Sequence, residues 1–391
     1  MSVPSAQGVT APQGFRAAGI AAGIKAGGKP DLALVVNDGP QQTAVAVFTR
    51  NKVKAAPVLW SQQVMSTGTL KAVVLNSGGA NACTGPEGFQ TTHATAEKAA
   101  EVLGCGAIEV AVCSTGLIGA QLPRETVLAG VEKAAAALEA SPEAGLAAAT
   151  AIMTTDTVAK QAVAAREGWS VGGLTKGAGM IAPSMATMLS VLTTDAAVEQ
   201  EVLDRALHAA VRVSFDRLDV DGSMSTNDTV VVLASGASGV TPTEQELTAA
   251  MTEVAKDLAR QMQADAEGVT KRVTVRVTGA ASEDDAVVIA RTVARDSLVK
   301  TALFGSDPNW GRVAAAAGYA DADLDPEKLD VTINGVTLCR GGVAAVDRSL
   351  ADLSGEDVLV EVELGLGSGE AEILTTDLSH AYVEENSAYS S

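Results

Sequence analysis

The sequence predicts a mixed α/β (α+β) protein, and three observations carry that expectation. Hydrophobic residues make up 47% of the 391 residues but aromatics only 3%, so the core must be built from Ala, Val, Leu and Ile. Short Val- and Ala-rich segments bounded by Gly, Asn or Asp alternate with segments carrying Ala, Leu and Glu at helical spacing. The length suits two domains or one large one, and no Pro/Ser-rich linker divides it. The weak seams are the Gly-rich run near 172–179 and the loop after Leu353.

In chain order, Leu32–Val36, Thr43–Thr49, Ala72–Leu75 and Ile108–Cys113 read as strands, with helices over Thr92–Leu103 and Glu125–Glu139. Pro183 sits at a permitted early position for a helix over Ser184–Leu192. Val198–Val213 reads as a helix and Thr229–Ala234 as a buried strand. Thr243 with Glu246 forms a capping box opening a long helix to Ala264. Val269–Thr278 alternates like a half-exposed strand, and Ser282 with Asp285 opens a helix through Arg295. A phrase recurs irregularly: Ile152-Met-Thr-Thr-Asp156, Val191-Leu-Thr-Thr-Asp195 and Ile373-Leu-Thr-Thr-Asp377. Its plain reading is a strand end followed by a turn or helix cap.

Charge and cysteine usage remove several classes of function. Lys plus Arg number 28 against 47 Asp plus Glu, a net charge of −19, which disfavours a nucleic-acid binder needing a basic footprint. The first charge is Arg16, so no signal-peptide n-region is evident. The uncharged stretch Gly177–Thr194 contains Pro183, three Thr, two Ser and two Gly, a poor membrane span. Cys83, Cys105, Cys113 and Cys339 lack CxxC spacing, and there are three His. The expectation is a cytoplasmic protein without membrane anchor, disulfide framework or metal site.

Walker-type, HExxH and Rossmann glycine patterns are absent, and His93, His208 and His380 sit in unrelated contexts. His93 and His208 fall within helix-like segments, which suits a surface or packing role. The richest stretch is Gly172-Gly-Leu-Thr-Lys-Gly-Ala-Gly-Met-Ile-Ala-Pro-Ser-Met-Ala-Thr-Met-Leu189. Its glycines permit close backbone approach to a ligand. A threonine such as Thr187 becomes a nucleophile when its own α-amino group is the base, which requires a chain cut immediately before it. A buried Gly/Met-rich packing segment accounts for the same residues equally well.

Lys176-Gly-Ala-Gly-Met-Ile-Ala-Pro-Ser-Met-Ala-Thr-Met-Leu189 resembles the hallmark of the glutamate N-acetyltransferase / ornithine acetyltransferase family of arginine biosynthesis. Eight further phrases match in order: Ala46–Asn51, Asn76–Gly85, Ser114–Gly119, Ile152–Thr157, Asp221–Thr229, Asp265–Lys271, Gly305–Arg312 and Tyr382–Ser391. The resemblance implies a layered α/β sandwich, helices outside stacked sheets, of the DmpA-like N-terminal-nucleophile type. It implies self-cleavage between Ala186 and Thr187. The α chain would be residues 1–186 and the β chain 187–391, with the C-terminal tail entering the site. Thr187 is then the nucleophile and Thr115 and Gly116 the oxyanion hole. Thr154, Lys176, Thr187, Glu267, Asn386 and Ser391 are the expected substrate contacts.

By type, Lys176 suits a substrate carboxylate and Glu267 a distal ammonium. The plain alternatives are a solvated charge closing the long helix for Glu267, and a frayed tail for Asn386 and Ser391. Asp307, Asn309 and Arg312 form a further polar cluster without an assigned role. One departure stands out: Gly79 occupies a position where relatives usually carry Asn, implying rearranged hydrogen bonding at the oxyanion loop. The implied reaction is ping-pong acetyl transfer from N-acetylornithine to glutamate, with no metal or organic cofactor, in an α₂β₂ heterotetramer. Acetyl-CoA as an additional donor stays open. The rivals are an N-terminal-nucleophile aminopeptidase or amidohydrolase of related fold, and a non-catalytic amino-acid-binding protein.

Overall fold

A computed structural model describes residues 8–182 and 188–388. Along the chain come β1 (Phe15–Ile20), β2 (Leu32–Asn37), β3 (Thr43–Phe48), α1 (Ala56–Val64), β4 (Ala72–Ser77), α2 (Gly85–Leu103), β5 (Val110–Thr115) and α3 (Arg124–Ala136). Then follow α4 (Pro142–Ala151), β6 (Lys160–Arg166), β7 (Trp169–Lys176), β8 (Leu189–Thr194), α5 (Gln200–Arg212), β9 (Thr229–Ala234) and α6 (Glu244–Ala264). The remainder is β10 (Arg272–Ala280), α7 (Glu283–Arg295), α8 (Ser297–Phe304), α9 (Trp310–Gly318), β11 (Asp330–Ile333), β12 (Val336–Arg340), β13 (Val343–Ala344), β14 (Asp357–Glu363), β15 (Gly369–Thr376) and α10 (His380–Ala388).

Among the described residues three sheets result, ordered β1-β2-β4-β5, β3-β9-β8-β7-β6 and β13-β12-β11-β14-β10-β15. The side-chain alternation of a strand explains how the first two stack. In β8 and β9, Leu189, Val191, Val231 and Leu233 join the core of the first sheet, whose own members include Leu34, Val73 and Val112. Their neighbours Leu192, Val230 and Val232 join a second core with Leu203, Leu247 and Leu258 from α5 and α6. Every residue of β4, β5, β8 and β9 is buried, as expected of strands covered on both faces. Helices α1–α3 pack on the first sheet and α5 and α6 on the second, giving four layers. The third sheet lies beside them, with α7 against β10 and β15 and α9 against β11. Val273, Val275 and Val277 of β10 face those helices and are fully buried. Among the described residues, no helix is long and apolar enough to cross a membrane.

The expected strands at 32–36, 43–49, 72–75, 108–113, 229–234 and 269–278 form, as do the helices at 92–103, 125–139, 198–213, 243–264 and 283–295, with ends shifted by a few residues. The capping box at Thr243 is present, with Thr243 Oγ1 accepting from Glu246 N–H and the Glu246 carboxylate accepting from Thr243 N–H. The helix expected over Ser184–Leu192 is a correction. Residues 189–194 are β8, paired with β7 on one side and β9 on the other, and two flanking ladders override a local helical signal. Of the recurring phrase, two copies end strands β8 and β15, whereas the first follows helix α4. Its aspartates are alike in accepting backbone N–H groups from other segments: Gly177 on Asp156, Gln13 and Ser170 on Asp195, Thr270 and Lys271 on Asp377.

Candidate active site

Strand ends bring the expected residues together. Thr115 is the last residue of β5 in the first sheet, and Lys176 the last of β7 in the second. Because those sheets are stacked, both ends open on one cavity of about 90 Å³, lined also by Gly116, Thr154, Gly179, Asn227, Glu267 and Asn386. An outer chamber of about 610 Å³ shares Thr155, Glu267 and Asn386 with it and adds Asp265 and Glu385. A larger groove of about 970 Å³ between α6 and the third sheet shares none of these residues. Ala186, Thr187 and Ser391 lie outside the described residues.

Lys176 is buried, and its Nζ donates to Thr115 Oγ1 at 3.2 Å. An ammonium only donates, so the Thr115 hydroxyl accepts here and its own hydrogen stays available for another acceptor. Burial pulls the Lys176 pKa down, opposed by the negative charges of Asp156, Asp228 and Glu267. Gly116 has φ of +128°, and a Cβ there would lie 2.6 Å from the Gly79 nitrogen, so only glycine fits this turn.

The Gly79 departure is accommodated by direct bonds. Gly78 and Gly79 N–H both donate to the Thr115 carbonyl at 3.0 Å, and Asn76 Nδ2 donates to the Gly79 carbonyl at 3.2 Å. Ser114 Oγ reaches Asn76 Oδ1 at 2.5 Å, and Asn227 Nδ2 bonds the carbonyls of Ala80 at 2.6 Å and Ser114 at 2.8 Å. The loop that carries Thr115 and Gly116 is therefore held by bonds from Gly78, Gly79 and Asn227.

Asp156 positions two more members. Its carboxylate accepts Thr154 N–H at 2.9 Å and Gly177 N–H at 2.7 Å, tying the loop after α4 to the end of β7. Lys160 Nζ, fully buried, bridges Asp156 at 2.7 Å and Asp265 at 2.5 Å. Burial alone would raise the Asp156 pKa, but Lys176 and Lys160 hold it down at about 2. Glu267 stands beyond the end of α6; its N–H donates to the Ala178 carbonyl at 2.9 Å, and its carboxylate accepts Asn386 Nδ2 at 2.9 Å. A Cβ on Gly179 would lie 2.2 Å from a Glu267 oxygen, so glycine is what lets this carboxylate into the cavity. Asn386 belongs to α10, so the frayed-tail alternative fails as far as Ala388.

Several groups were not legible as site residues. Asp221 accepts Met180 N–H at 2.7 Å and Ile181 N–H at 2.9 Å, and Asp228 accepts Met188 N–H at 3.0 Å. Burial raises the pKa of both aspartates. The signal available was the phrase Asp221–Thr229 itself, whose aspartates look in isolation like ordinary turn residues. Conversely, the polar cluster is structural: Asn309 caps α9, Asp307 pairs with Arg348 at 3.2 Å, and Arg312 Nη1 donates to the Leu298 carbonyl at 2.7 Å. His93 packs edge-on against Trp60 and His208 is exposed on α5, so neither approaches the cavity. Gly168-Trp-Ser-Val-Gly172 has the spacing of a nucleophile elbow but spans the β6–β7 hairpin, where Ser170 N–H donates to Asp195.

Comparison with known proteins gives consistent matches. The ArgJ family matches residues 16–391. A protein of Mycolicibacterium paratuberculosis named arginine biosynthesis bifunctional protein ArgJ is 64% identical, covering 98% of this chain and 97% of its own. One of the same name from Streptomyces coelicolor is 59% identical, covering 98% of this chain and all of its own. A solved chain of ornithine acetyltransferase complexed with ornithine, from Mycobacterium tuberculosis, is 60% identical over 47% of this chain and 97% of that one, with a TM-score of 0.45.

Proposed function

The chain belongs to the ArgJ family, and on that premise we propose that it is a self-cleaving enzyme of arginine biosynthesis that moves an acetyl group from N-acetylornithine to glutamate. The observation that carries this reading is the 90 Å³ cavity in which Thr115, Gly116, Thr154, Lys176, Glu267 and Asn386 converge from both halves of the sequence. A cut between Ala186 and Thr187 yields an α chain, 1–186, and a β chain, 187–391.

The freed α-amine of Thr187 takes the proton from its own Oγ, which attacks the acetyl carbonyl. The resulting oxyanion is met by the Thr115 hydroxyl and the Gly116 N–H. The tetrahedral intermediate expels ornithine, whose nitrogen receives the proton, and leaves acetyl-Thr187. Glutamate's amine then attacks that ester, giving N-acetylglutamate and restoring Thr187. Lys176 meets the substrate carboxylate. Glu267, held by Asn386, meets the distal ammonium, with Thr154 and Ser391 completing the contacts. Binding at one end by a cation and at the other by an anion selects a donor of ornithine's length and charge. The residues supply nucleophile, base and oxyanion donors, so the reaction calls for no metal or organic cofactor; acetyl-CoA would enter only as an alternative donor. Two α and two β chains form the assembly, and the enzyme works in the cytoplasm.

The test is a two-substrate assay with purified protein, using N-acetylornithine or acetyl-CoA as donor and glutamate as acceptor. Formation of N-acetylglutamate and ornithine in equal amounts is expected. Release of free acetate independent of glutamate would identify a hydrolase instead, and ornithine binding without exchange would identify a binding protein.

A further inference from the structure

The stretch 219–229, between α5 and β9, touches both described flanks of the proposed cut. Upstream, Asp221 accepts the N–H groups of Met180 and Ile181, while Val220 N–H donates to the Ile181 carbonyl at 2.7 Å. Downstream, Asp228 Oδ1 accepts Met188 N–H at 3.0 Å, and Thr229 N–H donates to the Met188 carbonyl at 3.2 Å. The same stretch is itself fixed along its length. Asp219 N–H donates to the Leu374 carbonyl at 2.9 Å and its carboxylate pairs with Arg295 at 2.6 Å. Thr49 Oγ1 donates to the Ser225 carbonyl at 2.7 Å, and Ala55 N–H donates to the Thr226 carbonyl at 3.0 Å. Strands β7 and β8 hold Lys176 opposite Leu189.

Resting on the function proposed above, we infer that Asp221 and Asp228 are positioning residues of the cut, a two-point clamp that sets the ends of the span containing the Ala186–Thr187 bond. The two grips have different lifetimes. Asp221 holds the flank that ends in the new C-terminus. Asp228 holds Met188, the second residue of the new chain, whose first residue is the nucleophile. Asp228 therefore serves acetyl transfer as well as cleavage. Oδ1 makes the bond to Met188, and Oδ2 has no hydrogen-bond partner among the described residues. Burial raises the Asp228 pKa, with the Met188 N–H, Ser225 and the Lys176 charge acting against it. A side chain of the same shape with one acceptor oxygen reproduces the bond that Asp228 Oδ1 makes to Met188. Asp221 uses both oxygens on backbone N–H groups, so an amide there loses an acceptor.

The experiment compares full-length Asp228→Ala, Asp228→Asn, Asp221→Asn and wild type, following cleavage by denaturing gel after expression and steady-state transfer on the cut fraction. Asp228→Ala is expected to leave mostly uncut chain, and its cut fraction to lose about 10²-fold in kcat with KM little changed, the scale of a misplaced reacting group. Asp228→Asn should recover both to within about threefold, while Asp221→Asn should accumulate uncut chain. Because Asp228→Asn keeps shape and acceptor, it decides the case if the alanine variant folds poorly. Wild-type speed in Asp228→Ala, or Asp228→Asn as slow as alanine, overturns the clamp while leaving the transferase reading intact. A wild type that transfers acetyl groups as an uncut chain overturns both.

Discussion

Thr115 shows how much the site depends on the order of its hydrogen bonds. Its hydroxyl accepts from buried Lys176 and keeps a hydrogen to give, so a group that is ordinary in sequence becomes a donor by its neighbour. Replacing it with Val keeps the shape and removes the donor; kcat should fall about 10²–10³-fold with KM changed far less. Unchanged kcat in steady-state assays would remove Thr115 from the oxyanion hole. At this scale the sequence told the residue types well, because Lys176, Glu267 and Asn386 do line one cavity. It did not tell which groups hold them. Asp156, Asp221, Asp228 and Asn227 act through backbone N–H and C=O groups of distant segments, and such bonds leave no mark in local spacing.

At the scale of elements, the link between α4, β6 and β7 is electrostatic. Asp156 joins Thr154 to Gly177 and pairs with Lys160, and its pKa is depressed to about 2 in the folded protein. A depressed carboxylate contributes stability that is present above its unfolded pKa near 4 and is lost as pH falls through the folded value. Denaturant stability of the wild type should thus decline by about 2 kcal/mol between about pH 4 and pH 2 from this group. Asp156→Asn should be less stable at pH 7 and lack that part of the decline. An identical acid limb in both would show that the carboxylate is not held as described.

Legibility at this scale followed the strength of local signals. The helix from Glu244 announces itself through its capping box, and β9 through its run of Val. Strand β8 was hidden by Pro183 and by small residues that also suit a helix. Only pairing with β7 and β9 makes Leu189–Thr194 extended, and that pairing is tertiary. Strand β7, with Gly172 and Gly173 inside it, looks like a seam in the sequence. Its glycines instead admit close neighbours, the Gly8 carbonyl against Gly172 and the Leu192 side chain against Gly173.

For the molecule as a whole, the proposed cut does not divide the structure into two bodies. The second sheet takes β3, β6 and β7 from before residue 186 and β8 and β9 from after it, with β7 and β8 as antiparallel neighbours. The two pieces should therefore migrate separately on a denaturing gel yet elute as one species under native conditions. Elution of either piece alone would contradict the shared sheet. The tail also reaches the site, since α10 brings Asn386 to Glu267. A tag fused after Ser391 should raise KM more than one placed before Met1, and equal effects would make the tail irrelevant to binding.

The acyl carrier proposed above is a threonine at a newly made N-terminus. Peptide mass mapping of protein stalled with N-acetylornithine and no glutamate tests it most directly. Two chains are expected, the second beginning at Thr187 and heavier by one acetyl group on that residue. An acetyl group on a lysine or serine, or an intact active chain with an ordinary Ala186–Thr187 peptide bond, would contradict it.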